Sequence, residues 1–129
     1  MERKKITIEF LLRASPAILY QFFTTPSNLV RWFCDGVDVQ PNGIYAFEWS
    51  GFEELARLTE DVENEQVKFE WLDDDRDGEY LEFKISISPV TGETILEITD
   101  FCDEDEVDEQ YQLWETQIQQ LKKETGSGG

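Results

Sequence analysis

The sequence predicts an α+β fold in which a curved antiparallel sheet wraps around a long C-terminal helix. Three observations lead to this prediction. Apolar and polar residues alternate in most segments between residues 6 and 101, which is the period of a half-buried strand. The connections after residue 35 are short, which favours antiparallel neighbours. The chain then ends in an amphipathic helical segment, and an amphipathic sheet needs such a cover on its apolar face.

The first elements are one strand and two helices. Residues 6–13 predict the strand, whose apolar face consists of Ile6, Ile8, Phe10 and Leu12. Ser15 followed by Pro16 indicates a helix start, because serine caps free backbone N–H groups and proline suits the first turn. Thr25 and Pro26 repeat the pattern, so a second short helix should follow, with apolar residues Leu29, Val30, Trp32 and Phe33.

Six strands are expected in the next part of the chain, separated by turn signals. Their ranges are 37–39, 44–49, 52–62, 67–71, 80–88 and 93–101. The composition of residues 52–62 also suits a helix, but strands bracket this segment closely on both sides, so a strand is preferred.

The last element is a helix. Asp103 is its predicted N-cap, with Glu106 as the capping-box partner. Its apolar stripe consists of Val107, Tyr111, Trp114, Ile118 and Leu121. With no internal repeat in the sequence, we predict a single domain over residues 1–125, followed by a flexible Gly/Ser tail at 126–129.

The composition argues against several classes of function. The chain has 29 acidic and 11 basic residues and a net charge of −18, which would repel nucleic acid and anionic membranes and leaves a monomer or a weak homodimer. No apolar run approaches the roughly 20 residues of a membrane span. The N-terminus lacks a signal-peptide core, so a cytoplasmic location is expected. There is no histidine, which excludes histidine-dependent triads and zinc sites.

The stretch WLDDDRDGEY at 71–80 has the D-x-D-x-D-G spacing that opens an EF-hand calcium loop. The twelfth position from Asp73 is Lys84, where that loop needs a bidentate carboxylate, and predicted strands flank the stretch instead of helices. The favoured interpretation is a solvated hairpin loop in which Gly78 supplies a positive φ. A weak divalent-cation site is the alternative, and no metal site is assigned.

A second acidic run covers residues 100–109. It is interpreted as a helix N-terminus whose acids suit the helix dipole. The alternative is a docking surface for a basic partner, formed together with the first acidic run. Arg57 is read as a solvent-facing residue paired with a glutamate, whereas an inward Arg57 would anchor a ligand carboxylate or phosphate. Cys34 and Cys102 are expected to be free thiols, with Cys34 a small buried side chain.

The chain resembles the START-like (SRPBCC) superfamily, whose helix-grip fold has the order β-α-α-β6-α. SPAILYQFFTTPSNLVRWF resembles the family's first helical segment and the tryptophan that follows it. VENEQVKFEWL resembles its central strand, LEFKISISPVTGETILEITDF its hairpin, and LWETQIQQL its C-terminal helix. The match runs nearly end to end. The chain most resembles small acidic bacterial members and the branch that includes the heat-shock chaperone ATPase activators.

The resemblance implies a cavity between the sheet and the long helix, which holds an apolar ligand in many relatives. The candidate cavity residues are Trp32, Phe47, Trp49, Arg57, Phe69, Trp71, Phe83, Phe101, Tyr111 and Trp114. Aromatic side chains fill a core as readily as they line a cavity, so both interpretations stay open.

Three functional hypotheses follow. The first is a non-catalytic module that binds a lipid-like or other hydrophobic small molecule without a cofactor. The second is an acidic protein-interaction module, related to the chaperone activators, with no small-molecule ligand. The third is an enzyme, but no carboxylate–tyrosine pair is evident in the sequence, and no catalytic residue is assigned.

Overall fold

The computed structural model describes residues 2–126, so residues 127–129 of the predicted tail lie outside the described part. The elements are β1 (Arg3–Leu12), α1 (Pro16–Thr24), α2 (Pro26–Leu29), β2 (Gly36–Gln40), β3 (Ile44–Trp49), β4 (Phe52–Val62), β5 (Gln66–Trp71), β6 (Tyr80–Ile87), β7 (Thr94–Asp103) and α3 (Val107–Glu124). All strands join one antiparallel sheet in the order β1-β7-β6-β5-β4-β3-β2. This confirms the predicted α+β helix-grip fold.

The two faces of the sheet differ as the alternation predicts. The inner face carries most of the buried side chains, which include Val67, Phe69, Leu81, Phe83, Leu96 and Ile98. The outer face is polar, and there Gln66 Nε2 donates to Glu60 Oε2 at 2.6 Å and to Glu82 Oε2 at 2.7 Å. Helix α3 covers the inner face with Trp114, Ile118 and Leu121, whereas Val107 and Tyr111 of the predicted stripe are only half-buried.

The start of α1 agrees with its prediction, because Ser15 Oγ accepts a hydrogen bond from the Ile18 N–H at 3.2 Å. Helix α2 is shorter than expected and ends at Leu29. The hydroxyl of Thr25 does not cap it and donates to Gln21 Oε1 at 3.0 Å. Of the apolar residues predicted for this segment, Val30 is exposed. Trp32 and Phe33 are buried, but they lie in the turn that follows the helix.

The predicted N-cap of the last helix is wrong. Strand β7 continues to Asp103, a 3-10 turn follows over Glu104–Glu106, and α3 begins at Val107. The Asp103 side chain makes no capping bond, because Arg3 lies opposite it in the sheet and donates from Nη1 to Asp103 Oδ1 at 2.9 Å. The ambiguous segment 52–62 is strand β4, with a bulge between Leu58 and Glu60. No helix of the described residues is long and apolar enough to cross a membrane.

Candidate functional site

Aromatic side chains fill most of the interior between the sheet and α3. Phe83 stacks on Phe23 with ring centroids 4.3 Å apart, and Trp32 meets Phe83 edge-on at 6.0 Å. Phe47 and Phe69 form another edge-on pair at 5.4 Å. Four of the candidate cavity residues, Trp32, Phe47, Phe69 and Phe83, therefore pack against other rings, as large side chains in a core commonly do.

A cleft of about 280 Å³ remains at one end of this interior. Its volume is near the lower limit of typical ligand sites. The apolar part of its wall consists of Phe33, Trp49, Trp71, Leu81, Leu113 and Trp114. Its polar groups come from Glu54, Arg76, Asp100, Gln110 and Gln117. The cleft therefore has an apolar wall with a few polar side chains.

Three of the predicted cavity residues, Trp49, Trp71 and Trp114, line the cleft. Phe101 borders it, but its ring packs edge-on against Tyr80 at 5.1 Å on the outer face of the sheet. The alternation of β7 explains this, because the preceding residue points inward.

Arg57 is exposed on β4, and Tyr111 is half-buried on α3; neither lines the cleft. The main wall residues that sequence reasoning missed are Phe33, Arg76, Asp100 and Leu113. The apolar run of residues 32–34 could have indicated Phe33. Nothing local could have indicated Arg76, because it lies in a loop of acids that reads as solvated.

Asp100 joins β7 to α3 through a buried carboxylate that is 5% exposed. Its Oδ2 accepts from Trp114 Nε1 and from Gln110 Nε2, both at 2.9 Å, and its Oδ1 accepts from the Phe101 N–H at 2.8 Å. Three donors therefore satisfy this carboxylate, as burial of a charged group requires.

The four tryptophans differ in what their indole N–H groups contact. Trp32 and Trp49 donate to backbone carbonyl oxygens at 2.9 and 2.8 Å, and Trp114 donates to Asp100. The Nε1 atom of Trp71 is buried and has no hydrogen-bond partner among the described residues. Buried donors without a partner are rare in native structures, so this one calls for an explanation.

Arg76 lies over the Trp71 ring, with its guanidinium carbon 4.3 Å from the ring centroid. Its other contacts are long: Nε lies 3.4 Å from Glu79 Oε1, and Nη1 lies 3.7 Å from Glu54 Oε2. Arg3 holds Glu79 more closely, donating from Nε at 2.8 Å and from Nη2 at 2.7 Å. These bonds lower the pKa of the Glu79 carboxyl below its usual value, although burial opposes the shift.

The first acidic run forms the loop that positions Arg76. A 3-10 turn covers Asp74–Arg76, and Asp73 Oδ1 accepts from the Asp75 N–H at 3.1 Å. Gly78 then has φ +81°, as predicted for the hairpin loop. Strands β5 and β6 flank the loop, so the helices of an EF-hand are absent from this described part of the chain.

The two acidic runs border one surface groove of about 500 Å³. Asp73 and Asp75 line it from the first run, and Asp103 and Glu106 line it from the second. Arg3 lowers the pKa of the Asp103 carboxyl, while the hydrogen bond between Asp103 and Glu106 raises the pKa of the Glu106 carboxyl. Carboxylate oxygens of Asp103, Asp105 and Glu106 lie within 4.8 Å of one another. Exposed acids commonly cluster in this way, so we assign no metal site.

Both cysteines are buried and free. Burial raises the pKa of the Cys34 thiol to about 12, so this thiol stays protonated at neutral pH. This fits the expectation of a small apolar side chain at Cys34.

Comparison with known proteins gives one matching family. The model of the START-like superfamily domain matches residues 1–127. The chain is similar to the Aha1 dimer from Colwellia psychrerythraea, with 19% identity, a TM-score of 0.81, and coverage of 97% of this chain and 98% of that chain. It is 35% identical to BfR322 from Bacteroides fragilis, with a TM-score of 0.66 and coverage of 95% and 91%. No curated protein gives a significant match.

Proposed function

The chain belongs to the START-like superfamily, and from that premise we propose that it is a non-catalytic module that binds a compact hydrophobic or amphipathic molecule. The ligand would occupy the cleft between the sheet and α3. The observation that carries this proposal is the aromatic lining of a cleft that the surrounding core leaves open. Ligand sites are typically concave and apolar with a few placed polar groups.

The wall of the cleft comes from parts of the chain that are far apart in sequence. Trp71 and Leu81 lie on the sheet, Phe33 follows α2, and Leu113 and Trp114 lie on α3. A volume of about 280 Å³ suits a molecule of one or two rings better than a long-chain lipid. The proposal is therefore for a compact ligand.

The polar groups support binding more than catalysis. Three hydrogen-bond donors hold the Asp100 carboxylate, which leaves it poorly suited to act as a base. The high pKa of the Cys34 thiol leaves little thiolate at neutral pH, so this residue is a poor nucleophile.

Leu113 provides the test, because it lines the cleft and is 48% exposed at its edge. We expect Leu113→Gln to weaken binding of the neutral probe 2-naphthylacetamide by roughly fivefold, since about 1 kcal/mol of apolar contact is lost. Isothermal titration calorimetry would measure both affinities. Leu11 is 47% exposed on β1 and lies outside the cleft, so Leu11→Gln is a matched control that should bind as the wild type does.

An equal loss in both variants would show that the probe does not use the cleft. Failure of the wild type to bind the probe at millimolar concentration would count against the proposal in the same way. Native mass spectrometry of the purified protein supplies a second readout, because a ligand retained from the cell would add a discrete mass.

The acidic groove favours a second candidate function, a protein-interaction module. It brings Asp73, Asp75 and Asp103 to one surface, and the similar Aha1 structure is that of a dimer. A basic partner should be held at low salt and released at high salt, because exposed charges are screened. The triple variant Asp73→Asn, Asp75→Asn, Asp103→Asn should lose that partner in a pull-down. Three neutralisations elsewhere, at the exposed residues Glu9, Glu70 and Glu115, should retain it.

A further inference from the structure

We propose that the cleft selects a compact ligand with a carboxylate head group, held by the guanidinium of Arg76 and the indole N–H of Trp71. This inference rests on the proposed function and adds the chemistry of the ligand to it. The apolar body of the ligand would lie against Trp49 and Leu113.

The indole N–H of Trp71 has no hydrogen-bond partner among the described residues. The residue is 8% exposed, its ring forms part of the cleft wall, and its Nε1 atom is buried without a partner in the described chain. A buried donor that lacks an acceptor has lost its hydrogen bonds to water without replacement, which destabilises a protein. The other three indoles avoid this cost through oxygen acceptors of the protein. An acceptor oxygen on a ligand would do the same for Trp71.

The guanidinium of Arg76 makes only long contacts with its neighbouring carboxylates. A guanidinium has five N–H donors, and among the described residues Arg76 makes one hydrogen bond, of 3.4 Å, to Glu79. The oxygens of Glu79 already accept the two shorter bonds from Arg3. The Arg76 side chain is nevertheless only 19% exposed, and its guanidinium carbon lies 4.3 Å from the centroid of the Trp71 ring. It is thus ordered and partly desolvated, with donor capacity left for a planar acceptor such as a carboxylate.

The Arg76 guanidinium lies over the Trp71 ring, and both residues lie at the junction of two depressions. Arg76 and Trp71 line the cleft and also a neighbouring depression of about 210 Å³, together with Glu54. A head group at this junction would meet both donors while the apolar body stays in the cleft. Glu54 contacts Arg76 only at 3.7 Å, so a ligand carboxylate could replace that long contact with a closer one.

Charge elsewhere on the molecule opposes an anionic ligand. The net charge is −18, and Asp100 contributes a carboxylate to the cleft wall. The three donors that bind Asp100 offset its local field. Glu79 and Glu54 lie 3.4 and 3.7 Å from Arg76, and Glu53 and Asp73 line the neighbouring depression, so nearby carboxylates also oppose an anionic head group. Charge farther away is screened by salt of about 150 mM, whereas contacts to Arg76 inside the cleft are screened less. Local donors therefore decide the preference at physiological ionic strength.

The experiment compares three probes of equal size that differ in the charge of the head group: 2-naphthylacetate, 2-naphthylacetamide and 2-(2-naphthyl)ethylammonium. We expect the acetate to bind at least about tenfold more tightly than the amide, and the ammonium most weakly. Nitrogen-15 NMR resolves the indole N–H groups, and Trp71→Phe assigns the signal of Trp71. That proton should move downfield with the acetate, because it gains a charged acceptor.

Arg76→Gln tests the guanidinium. We expect about a tenfold loss of acetate affinity, while amide affinity stays within about twofold, because only the charge-assisted contact is removed. Arg57→Gln removes an exposed arginine outside the cleft and is the matched control, which should leave both affinities unchanged.

The outcomes separate this inference from the proposed function. If all three probes bind equally and Leu113→Gln weakens each of them, the head-group assignment is overturned and the cleft function stands. If the acetate binds most tightly but the Trp71 signal and the Arg76→Gln affinity do not change, the assignment of these donors is also overturned. If no probe binds, the proposed function fails, and the head-group assignment fails with it.

Discussion

Phe83, at the filled end of the interior, is surrounded by other aromatic rings. Trp71, at the other end, lines the cleft and contacts the guanidinium of Arg76. Phe83 stacks on Phe23 at 4.3 Å and meets the Trp114 ring edge-on at 6.1 Å. Trp71 is also buried, but its ring lines the cleft of about 280 Å³. The guanidinium carbon of Arg76 lies 4.3 Å from the centroid of this ring. The two ends therefore use the same type of side chain in different ways.

Burial alone does not show whether a polar group in the cleft wall has a hydrogen-bond partner. Trp114 and Trp71 are 2% and 8% exposed, yet only Trp114 has an acceptor for its indole N–H. Trp49 and Trp114 also line the cleft, but their indole N–H groups already have acceptors and are not free for a ligand. An indole N–H without a partner at the edge of a cleft is available to a ligand.

The largest expected difference between the two ends comes from truncating one apolar side chain at each. Phe83→Ala should lower the free energy of unfolding by about 4 kcal/mol, because the fully buried ring leaves a cavity among other rings. Leu113→Ala at the cleft should lower it by less than about 1 kcal/mol, since that side chain is half-exposed. Urea unfolding followed by circular dichroism measures both. Similar losses would mean that the cleft is as tightly packed as the core.

The two indoles allow a more direct comparison. Trp114→Phe should lower the free energy of unfolding by about 2 kcal/mol, because Asp100 loses a donor and a smaller ring leaves space. Trp71→Phe should change it by less than about 1 kcal/mol, because the lost ring contacts are offset by removal of an unpaired buried donor. Equal destabilisation in urea would show that the Trp71 N–H is satisfied in solution.

The ion pair behind the cleft predicts a dependence on pH. Glu79→Gln should lower the free energy of unfolding by about 1.5 kcal/mol at neutral pH, through loss of charge-assisted bonds to Arg3. Arg3 lowers the pKa of the folded-state Glu79 carboxyl below its usual value of 4.5. The difference in the free energy of unfolding between the wild type and Glu79→Gln should therefore be complete above pH 4.5. It should disappear as the pH falls through the lower pKa of the folded state.

Urea titrations between about pH 7 and pH 3 would measure this difference. Glu115→Gln, at an exposed position on α3, is the control and should differ little from the wild type at any pH. An advantage of the wild type over Glu79→Gln that persists unchanged at the acid end would contradict the prediction.

The smallest effect concerns the two arginines that share Glu79. Arg3→Gln should lower the free energy of unfolding by about 1 kcal/mol, because its bonds of 2.7 and 2.8 Å are short and paired. Arg76→Gln should lower it by about 0.5 kcal/mol or less, since its ion contacts are 3.4 and 3.7 Å. Thermal unfolding would rank the two. A larger loss of stability for Arg76→Gln than for Arg3→Gln would show that Arg76 stabilises the fold and would contradict this prediction.

Much of the fold followed from the sequence because the signals are local. The alternation of Leu81, Phe83 and Ile85 placed those side chains on the buried inner face of β6. Ser15 capped α1 where the sequence predicted. Gly78 adopted the positive φ expected of the turn. Each signal depends on residues within a few positions of one another, so the sequence contains it directly.

Other features depended on partners far away along the chain. Asp103 looked like a helix cap but is held by Arg3 across the sheet. Phe101 looked like an inward aromatic, because β7 carries apolar residues on both faces, and only the contact of Asp100 with α3 decides which face is inward.

The sequence by itself determined the order of the elements, the antiparallel sheet and the helix that covers it. Tertiary structure decided which aromatic side chains fill the interior, which ones line the cleft, and where Arg76 lies. The physical reason is that alternation and capping act between near neighbours, whereas filling of space and hydrogen bonding of buried groups depend on distances across the fold. Trp71 and Trp114 look alike in the sequence and both line the cleft, and only their surroundings give the indole N–H of Trp114 an acceptor that Trp71 lacks among the described residues.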